Sequence, residues 1–466
     1  MSGRTYVVID IGKTLSKLTL WSRDGVLLEK RMRPNPAALD GALDAAGIEL
    51  WLTEVLSEFA RLADVAAIIP VAHGAAAAIV RDGALAQTPR DYEAPIPESV
   101  RLAYQRQRDP FVQIGSPALP DGLNLGAQLF ALEVERPDLF EGDAWILLWP
   151  QYWAWLLSGV AACELTSLGC HTDLWRPFSG APSNLAGARG WDKRLPPLRR
   201  AGEVLGPILP AWAERTGLPA DTNIHCGLHD SNAALVAARG FPDLAGSGVT
   251  VLSTGTWFVA MRVPSESERG AMVALPEQRD CLINIDAYGV PTPSARFMGG
   301  REIEILLDGQ GRLDLPADQP ALLAAAQGVV AAGAMVLPTF ASGVGPFPRG
   351  GGAWVKEPRD REGRISAIGL YAALVADVSL DLVGARGPVL IEGRFAEAEV
   401  FTRALAALRP ADSIHVSDAP SDVSFGALRM IDPNLRPAGS LARVWPLDVP
   451  LAGYKRDWRA RAEVST

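Results

Sequence analysis

Residues 5–32 read TYVVIDIGKTLSKLTLWSRDGVLLEKRM. Thr5 to Ile11 is a β-branched apolar run that stops at Gly12, the pattern of a buried strand. Leu15 to Trp21 alternates apolar and polar side chains and predicts a second strand. Asp24-Gly25 is a tight-turn signal, and Val26 to Met32 reads as a third strand. The chain therefore opens with an antiparallel meander. Asp10 leaves the first strand, and Gly12, Lys13 and Thr14 form the first turn.

Further along, Leu50 to Leu62 has helical spacing of Leu52, Val55, Leu56 and Phe59. Val65 to Val71 is a buried strand ending near His73-Gly74. Residues 86–122 are rich in proline and charge and read as a long surface excursion. Asn124 to Val134 and Asp143 to Leu157 read as helices. Residues 176–197 read as a loop. Asn223 to Leu228 is a short strand with a helix from Asp230 to Arg239 behind it. Gly240 to Gly248 marks a domain boundary, giving a first domain of 1–240 and a second of 241–466.

The second half restarts with Val249 to Ser253, a turn at Gly255, and Trp257 to Val263. This partly repeats the opening. Residues 341–352 are glycine-rich. Arg364 to Val383 predicts a long helix, Pro388 to Glu392 a strand, Ala396 to Leu408 a helix, and Ser424 to Ile431 the start of a late one. Strands interleaved with helices place the chain in the α/β class.

The 466 residues suffice for two large α/β lobes, with 48% hydrophobic and 21% charged residues. Lys and Arg number 44 against 53 Asp and Glu, a net charge of −9. That balance argues against broad nucleic-acid binding, which needs a basic surface. Cysteines stand at 163, 170, 226 and 281 with no C-x-x-C pair, so neither a zinc ribbon nor a disulfide framework is expected. The apolar runs at 145–157 and 322–337 fall short of the ~18 to 20 residues of a membrane span. No signal-like run opens the sequence. A reducing, cytoplasmic setting without membrane attachment is the expectation.

Four segments can carry chemistry. In Asp10-Ile11-Gly12-Lys13-Thr14 a carboxylate leaves a strand, and a glycine, a lysine and a hydroxyl follow. Backbone amides and Lys13 suit phosphate oxygens, and Asp10 suits Mg²⁺ held through water. The plain alternative is a polar hairpin tip. Ser253-Thr254-Gly255-Thr256-Trp257 is a second small, donor-rich hairpin. Two such turns, each opening one half of the chain, suggest two related lobes holding one nucleoside triphosphate. In Gly227-Leu228-His229-Asp230-Ser231-Asn232-Ala233, Asp230 stands at a strand end and a helix start. It suits a general base, and equally a helix cap. Ile391-Glu392-Gly393-Arg394-Phe395 places a glycine where a ring or phosphate can approach the backbone, and Arg301 in Gly299-Gly300-Arg301-Glu302 is a similar helix start.

His225 and His229 are four apart, but a strand-to-helix break separates them and no third ligand stands nearby, so a metal pair is not expected. His225 reads as packed in its strand. Among the tryptophans at 145, 149, 153 and 155, Trp149 is the candidate to line a sugar site. His73 is a candidate contact to a polyol hydroxyl, and Thr166, Ser167 and His171 form a polar cluster open to either a ligand or a packing role.

Taken in order, these segments resemble the FGGY carbohydrate kinases, the family of glycerol, xylulose, rhamnulose and fuculose kinases. DIGKT (10–14) resembles the first phosphate loop, GLHDSNAA (227–234) the segment of the catalytic aspartate, and STGTW (253–257) the second phosphate loop. GGRE (299–302), GLYAAL (369–374), IEGRF (391–395) and FGALRM (425–430) follow in the family's order. The resemblance implies two lobes of the actin/hexokinase/Hsp70 (RNase H-like) type with a cleft between them. It implies ATP and Mg²⁺ as cofactors and a small-molecule sugar as partner. Asp230 then resembles the base and Asp10 the Mg²⁺-associated carboxylate. Gly12, Lys13 and Thr14 would face the terminal phosphates, Thr254, Gly255 and Thr256 would face them too, and Gly393 would lie against adenosine. His73, Trp149, His229 and Asp230 would meet the sugar.

The sequence departs from the family at 338–348, PTFASGVGPFP, where many relatives carry a P-Y-L-x-G-E-R-T-P-like stretch. His73-Gly74 stands in place of a glutamine-bearing segment. His229 before the aspartate is more like the deoxyketohexose kinases and favours a ketose such as L-fuculose, L-rhamnulose or a pentulose. Two rivals share the hairpins: an actin/Hsp70-like ATPase with no sugar substrate, and a catalytically silent sugar or nucleotide sensor. A homodimer is the base-rate expectation for assembly.

Overall fold

The computed structural model describes residues 4–35, 41–244, 248–265, 274–417 and 423–464. It divides into two compact units. The first comprises Met1–Gly240, Ile283–Pro291 and Ser421–Ala438; the second comprises Phe241–Leu282, Thr292–Pro420 and Gly439–Thr466. A single cut at 240/241 therefore misses two later returns of the chain to the first unit.

In the first unit the meander forms as β1 (Thr5–Ile11), β2 (Leu15–Trp21) and β3 (Leu27–Pro34). β4 (Val65–Ala72) lies parallel to β1. β5 (Val204–Pro207) and β6 (Asn223–His225) extend the sheet in the order β5-β6-β4-β1-β2-β3, and β7 (Leu228–His229) also pairs with β4. Side chains of a strand alternate between faces. Val7, Ile9 and Ile11 accordingly pack with Leu52, Leu56 and Phe59 of the helix Ala45–Leu62, while Val8 packs with Val71, Leu228, Ala233 and Phe425 on the other face. That second face is covered by the helices Asp230–Ala238 and Val423–Ile431. The late helix is why the chain returns: its Phe425, Ala427 and Leu428 complete the core beside the Asp230 helix. At Gly426 the helices come so close that an added Cβ would lie 1.7 Å from the carbonyl oxygen of Ala233.

Three expectations need correction. Residues 143–157 are not one helix: Trp145–Leu148 is a strand, and the helix runs Trp149–Ser158. Pro150 stands in its first turn, where the missing N–H costs nothing. Residues 86–122 are not a surface excursion throughout. They include the helix Glu98–Gln105 and bury Asp91, Asp109 and Ser116. The stretch 176–197 contains the helix Asn184–Arg189, capped by Ser183 Oγ on Ala186 N.

The second unit repeats the plan. β8 (Val249–Thr254) and β9 (Phe258–Val263) form a hairpin, and β10 (Pro291–Phe297) pairs with β9. β11 (Pro388–Gly393) lies parallel to β8, followed by β12 (Ser413–Ser417) and β13 (Leu441–Arg443). Each unit thus has an antiparallel hairpin whose first strand meets a later strand in parallel. The helix Arg361–Leu382 is long and apolar enough to cross a membrane, but 89% of its apolar window is buried in this unit's core. Asp360 Oδ1 caps it by accepting from Gly363 N at 2.7 Å.

Candidate functional site

Register explains how the first unit gathers its polar residues. Ile11 stands opposite Ala72, and His229 opposite the same Ala72, in parallel pairings. The C-terminal ends of β1, β4 and β7 therefore finish side by side. The residues that follow, Gly12, His73 and Asp230, leave the sheet at the same end, where ligands of α/β sheets bind. The backbone N–H of His73 donates to Ile11 O at 3.1 Å, which ties two of these exits together.

The Gly12 turn is closed by Gly12 N donating to Leu15 O at 3.1 Å. Asn35 braces it, its Nδ2 donating to Gly12 O at 2.7 Å and Ser16 Oγ at 2.8 Å. Asp10 lies opposite Lys17 across the hairpin, and their charges meet at 2.7 Å. Lys13 pairs with buried Asp91, lies 3.7 Å from Glu93, and stands over the ring of Tyr92. Thr14 is exposed.

A cavity of about 110 Å³ opens beside this turn, lined by Gly12, Lys13, Thr14, Asn35, His73, Asp91 and Trp149 among others. Trp149 is 1% exposed and stacks on Tyr152, and among the described residues its indole Nε1–H has no hydrogen-bond partner. A buried donor left without an acceptor costs about 1–3 kcal/mol, so a ligand oxygen there would be well received. His73 donates from Nδ1 to Gly74 O at 2.8 Å, which leaves Nε2 as the acceptor. Burial pushes the imidazole below its ordinary value, so it is neutral, although Asp230 pulls the other way.

Asp230 is the first residue of its helix. Its Oδ1 accepts from Ser231 N at 2.6 Å and Ser231 Oγ at 3.2 Å, and 29% of the side chain is accessible. A carboxylate is stabilised at a helix N-terminus, yet this one still reaches solvent. His229 is buried, with Nδ1 3.4 Å from Asp230 Oδ1. Burial alone would depress His229, but Cys170 and Asp230 outweigh it and bring it up to about 9. Cys170 moves the opposite way: burial would raise it, and His171 and His229 bring it down to about 5. His225 is a strand histidine whose Nδ1 donates to Gly202 O at 2.8 Å. Among the described residues no group of three or more His, Cys, Asp or Glu could hold a metal by itself.

In the second unit three segments meet. Thr254 Oγ1 donates to Glu392 O at 2.6 Å and accepts from Phe395 N at 3.0 Å, so this hydroxyl is a strut between β8 and the turn after β11. Gly393 has φ 85°, and a Cβ there would lie 2.2 Å from Thr254 O. At Gly300 a Cβ would lie 2.0 Å from Gly255 O, which brings GGRE against STGTW. Thr256 and Arg301 are exposed at this junction. Glu302 turns inward, accepting at Oε1 from Phe340 N and Ala341 N, both at 3.0 Å, and at Oε2 from Tyr371 Oη. The divergent 338–348 segment is thereby anchored to the core helix.

The sequence reading missed Asn35 and Asp91. Asn35 carries no local signal, and Asp91 sits in a charged run of the kind that usually faces solvent.

Residues 246–438 match the C-terminal domain of the carbohydrate kinase FGGY family. A carbohydrate kinase from Novosphingobium aromaticivorans is 52% identical, with complete coverage of both chains and a TM-score of 0.93. A xylulose kinase from Lactobacillus acidophilus shares the fold, with a TM-score of 0.80 at 14% identity over 99% of this chain and 97% of its own. Curated relatives match over shorter stretches. A rhamnulokinase from Halalkalibacterium halodurans is 30% identical over 28% of this chain and 27% of its own length. An L-fuculokinase from Haemophilus influenzae is 26% identical over 38% of this chain and 37% of its own. The two-lobed α/β architecture, the ordered motifs and a full-length relative at this identity agree: the chain belongs to the FGGY family of carbohydrate kinases.

Proposed function

We propose that the chain transfers the γ-phosphoryl group of ATP to a hydroxyl of a ketose, with L-rhamnulose, L-fuculose or a pentulose as the substrate class. The observation that carries this reading is the common exit of Gly12, His73 and Asp230 at one end of three parallel strands. A phosphate turn, a neutral histidine acceptor and an accessible carboxylate are then neighbours.

Asp230 accepts the proton of the attacking hydroxyl. The amides of the Gly12 turn and Lys13 receive the terminal phosphates, where charge develops during transfer. Lys13 releases Asp91 to do so. Trp149 Nε1 donates to a sugar oxygen, and His73 Nε2 accepts from a sugar hydroxyl. Gly255, Thr256 and Gly393 contact the nucleotide, while Thr254 holds their backbone. Mg²⁺ fits this donor set: a metal held chiefly by nucleotide phosphates needs only one or two protein carboxylates, and Asp10 would supply one in place of its pairing with Lys17. It would add charge neutralisation at the phosphates.

The test is ADP release with Mg-ATP across ketoses and polyols. Release that depends on one ketose is expected. Equal release without sugar would turn the reading to an ATPase, and nucleotide or sugar binding without release under any sugar would turn it to a sensor. A second expectation concerns Gly393. Alanine there is strained at positive φ and meets Thr254 O, at a cost of about 1–3 kcal/mol. Gly393→Ala should raise KM for ATP about tenfold and leave KM for sugar near its original value. An unchanged KM for ATP would remove Gly393 from the nucleotide site.

A further inference from the structure

One buried polar chain ends at the backbone that carries Asp230, and the mechanism above does not use it. Glu164 is 2% exposed and Thr166 is fully buried. Glu164 Oε2 accepts from Thr166 Oγ1 at 2.6 Å, from Ser167 N at 3.1 Å and from Ser167 Oγ at 3.3 Å. Thr166 Oγ1 in turn accepts from the backbone N–H of His229 at 2.9 Å. A hydroxyl has one proton. Because His229 N–H donates to Thr166, the Thr166 proton goes to Glu164, and the chain has one direction.

His229 needs this partner. It is the residue before the helix, where the backbone leaves β7, and the next residue is Asp230. Its N–H is buried, and a buried donor without an acceptor is costly. Carrying that bond on a side chain from a distant segment fixes where the strand ends and the helix begins. Three donors on one Glu164 oxygen fix the threonine rotamer in turn. The plainer role for Glu164 is to cap the short turn Leu165–Leu168 through Ser167 N. That role uses neither the Thr166 hydroxyl nor His229.

We propose that Glu164 and Thr166 are positioning residues that hold the His229–Asp230 junction, and through it the general base, in register with the phosphate turn. This rests on the kinase reading for its effect on turnover. Its structural part stands without it, and the test has a readout for each.

Thr166→Val keeps the shape and removes the acceptor, whereas Thr166→Ser keeps the hydroxyl. In Thr166→Val the His229 amide should exchange with solvent deuterium at least about tenfold faster, with the amides of β1 and β4 unchanged. With the best ketose, kcat should fall by about 10- to 100-fold while KM for ATP and for sugar stays within about threefold. Thr166→Ser should restore both. Thr166→Ala repeats the test without burying a branched apolar side chain. Unchanged exchange at His229 would overturn the strut. Faster exchange with normal kcat would overturn the positioning role, as would a serine variant as impaired as valine. A wild-type protein without sugar-dependent turnover would sink the kinase reading instead, and the exchange result would then decide the strut alone.

Discussion

Asp230→Asn should turn over sugar at least ~10² more slowly than the wild type, the loss expected when a general base is removed, while still binding nucleotide and sugar. The substitution is a fair test because the asparagine can keep the structural work. Its amide oxygen can still accept from Ser231 N, as Asp230 Oδ1 does at 2.6 Å. What it cannot do is take a proton. The lost charge at the helix start costs only about 0.3–1 kcal/mol of stability, too little to unfold a domain with such a core. A large fall in kcat with a melting temperature lowered by no more than a few degrees is therefore the signature. Near-normal turnover would remove Asp230 as the base and leave it a carboxylate that favours the helix start.

Gly426→Ala should be the most destabilising single methyl in the first unit. In an exposed helix this change stabilises, by about 1 kcal/mol through propensity alone. Here the added Cβ would lie 1.7 Å from Ala233 O and 2.6 Å from its carbon, so the two helices must part. Overpacking of this kind costs about 1–3 kcal/mol, and contact with rigid backbone puts the cost at the upper end or beyond. Packing outweighs propensity, and the urea midpoint should fall. Gly328→Ala is the matched control. Gly328 lies in the helix Gln319–Ala332 with open space where a Cβ would stand, so that variant should gain stability. A stabilised Gly426→Ala would contradict the close helix contact. Because Ala233 is one helical turn from Asp230, surviving Gly426→Ala protein should also lose turnover.

Local chemistry made much of this molecule legible in its sequence. The runs Thr5–Ile11 and Val249–Ser253 are β-branched and end at small-residue turns, so strand and hairpin were both visible. Asp230 stood out because a carboxylate at a strand-to-helix break has few uses. Long-range contacts hid the rest. Asp91 looks like solvated charge until Lys13 folds onto it. Glu164 is one of many glutamates until Thr166 links it to His229. The tryptophan-rich stretch shows how two periods blur in an apolar run: four residues of strand precede the helix, and only Pro150 marks the change. The late helix Val423–Ile431 was visible as a helix, but nothing in its sequence says which core it completes.

The late helix Val423–Ile431 also bears on how the protein is made. A ribosome delivers a chain from its N-terminus, and domains commonly fold as they emerge. The first unit cannot finish this way. Its sheet face beside Asp230 stays without Phe425, Ala427 and Leu428 until nearly all of the second unit has been synthesised. For most of translation the nascent protein holds Asp230 on a helix whose apolar flank is bare. Truncation before Val423 would therefore leave the core beside Asp230 incomplete although residues 1–240 are intact.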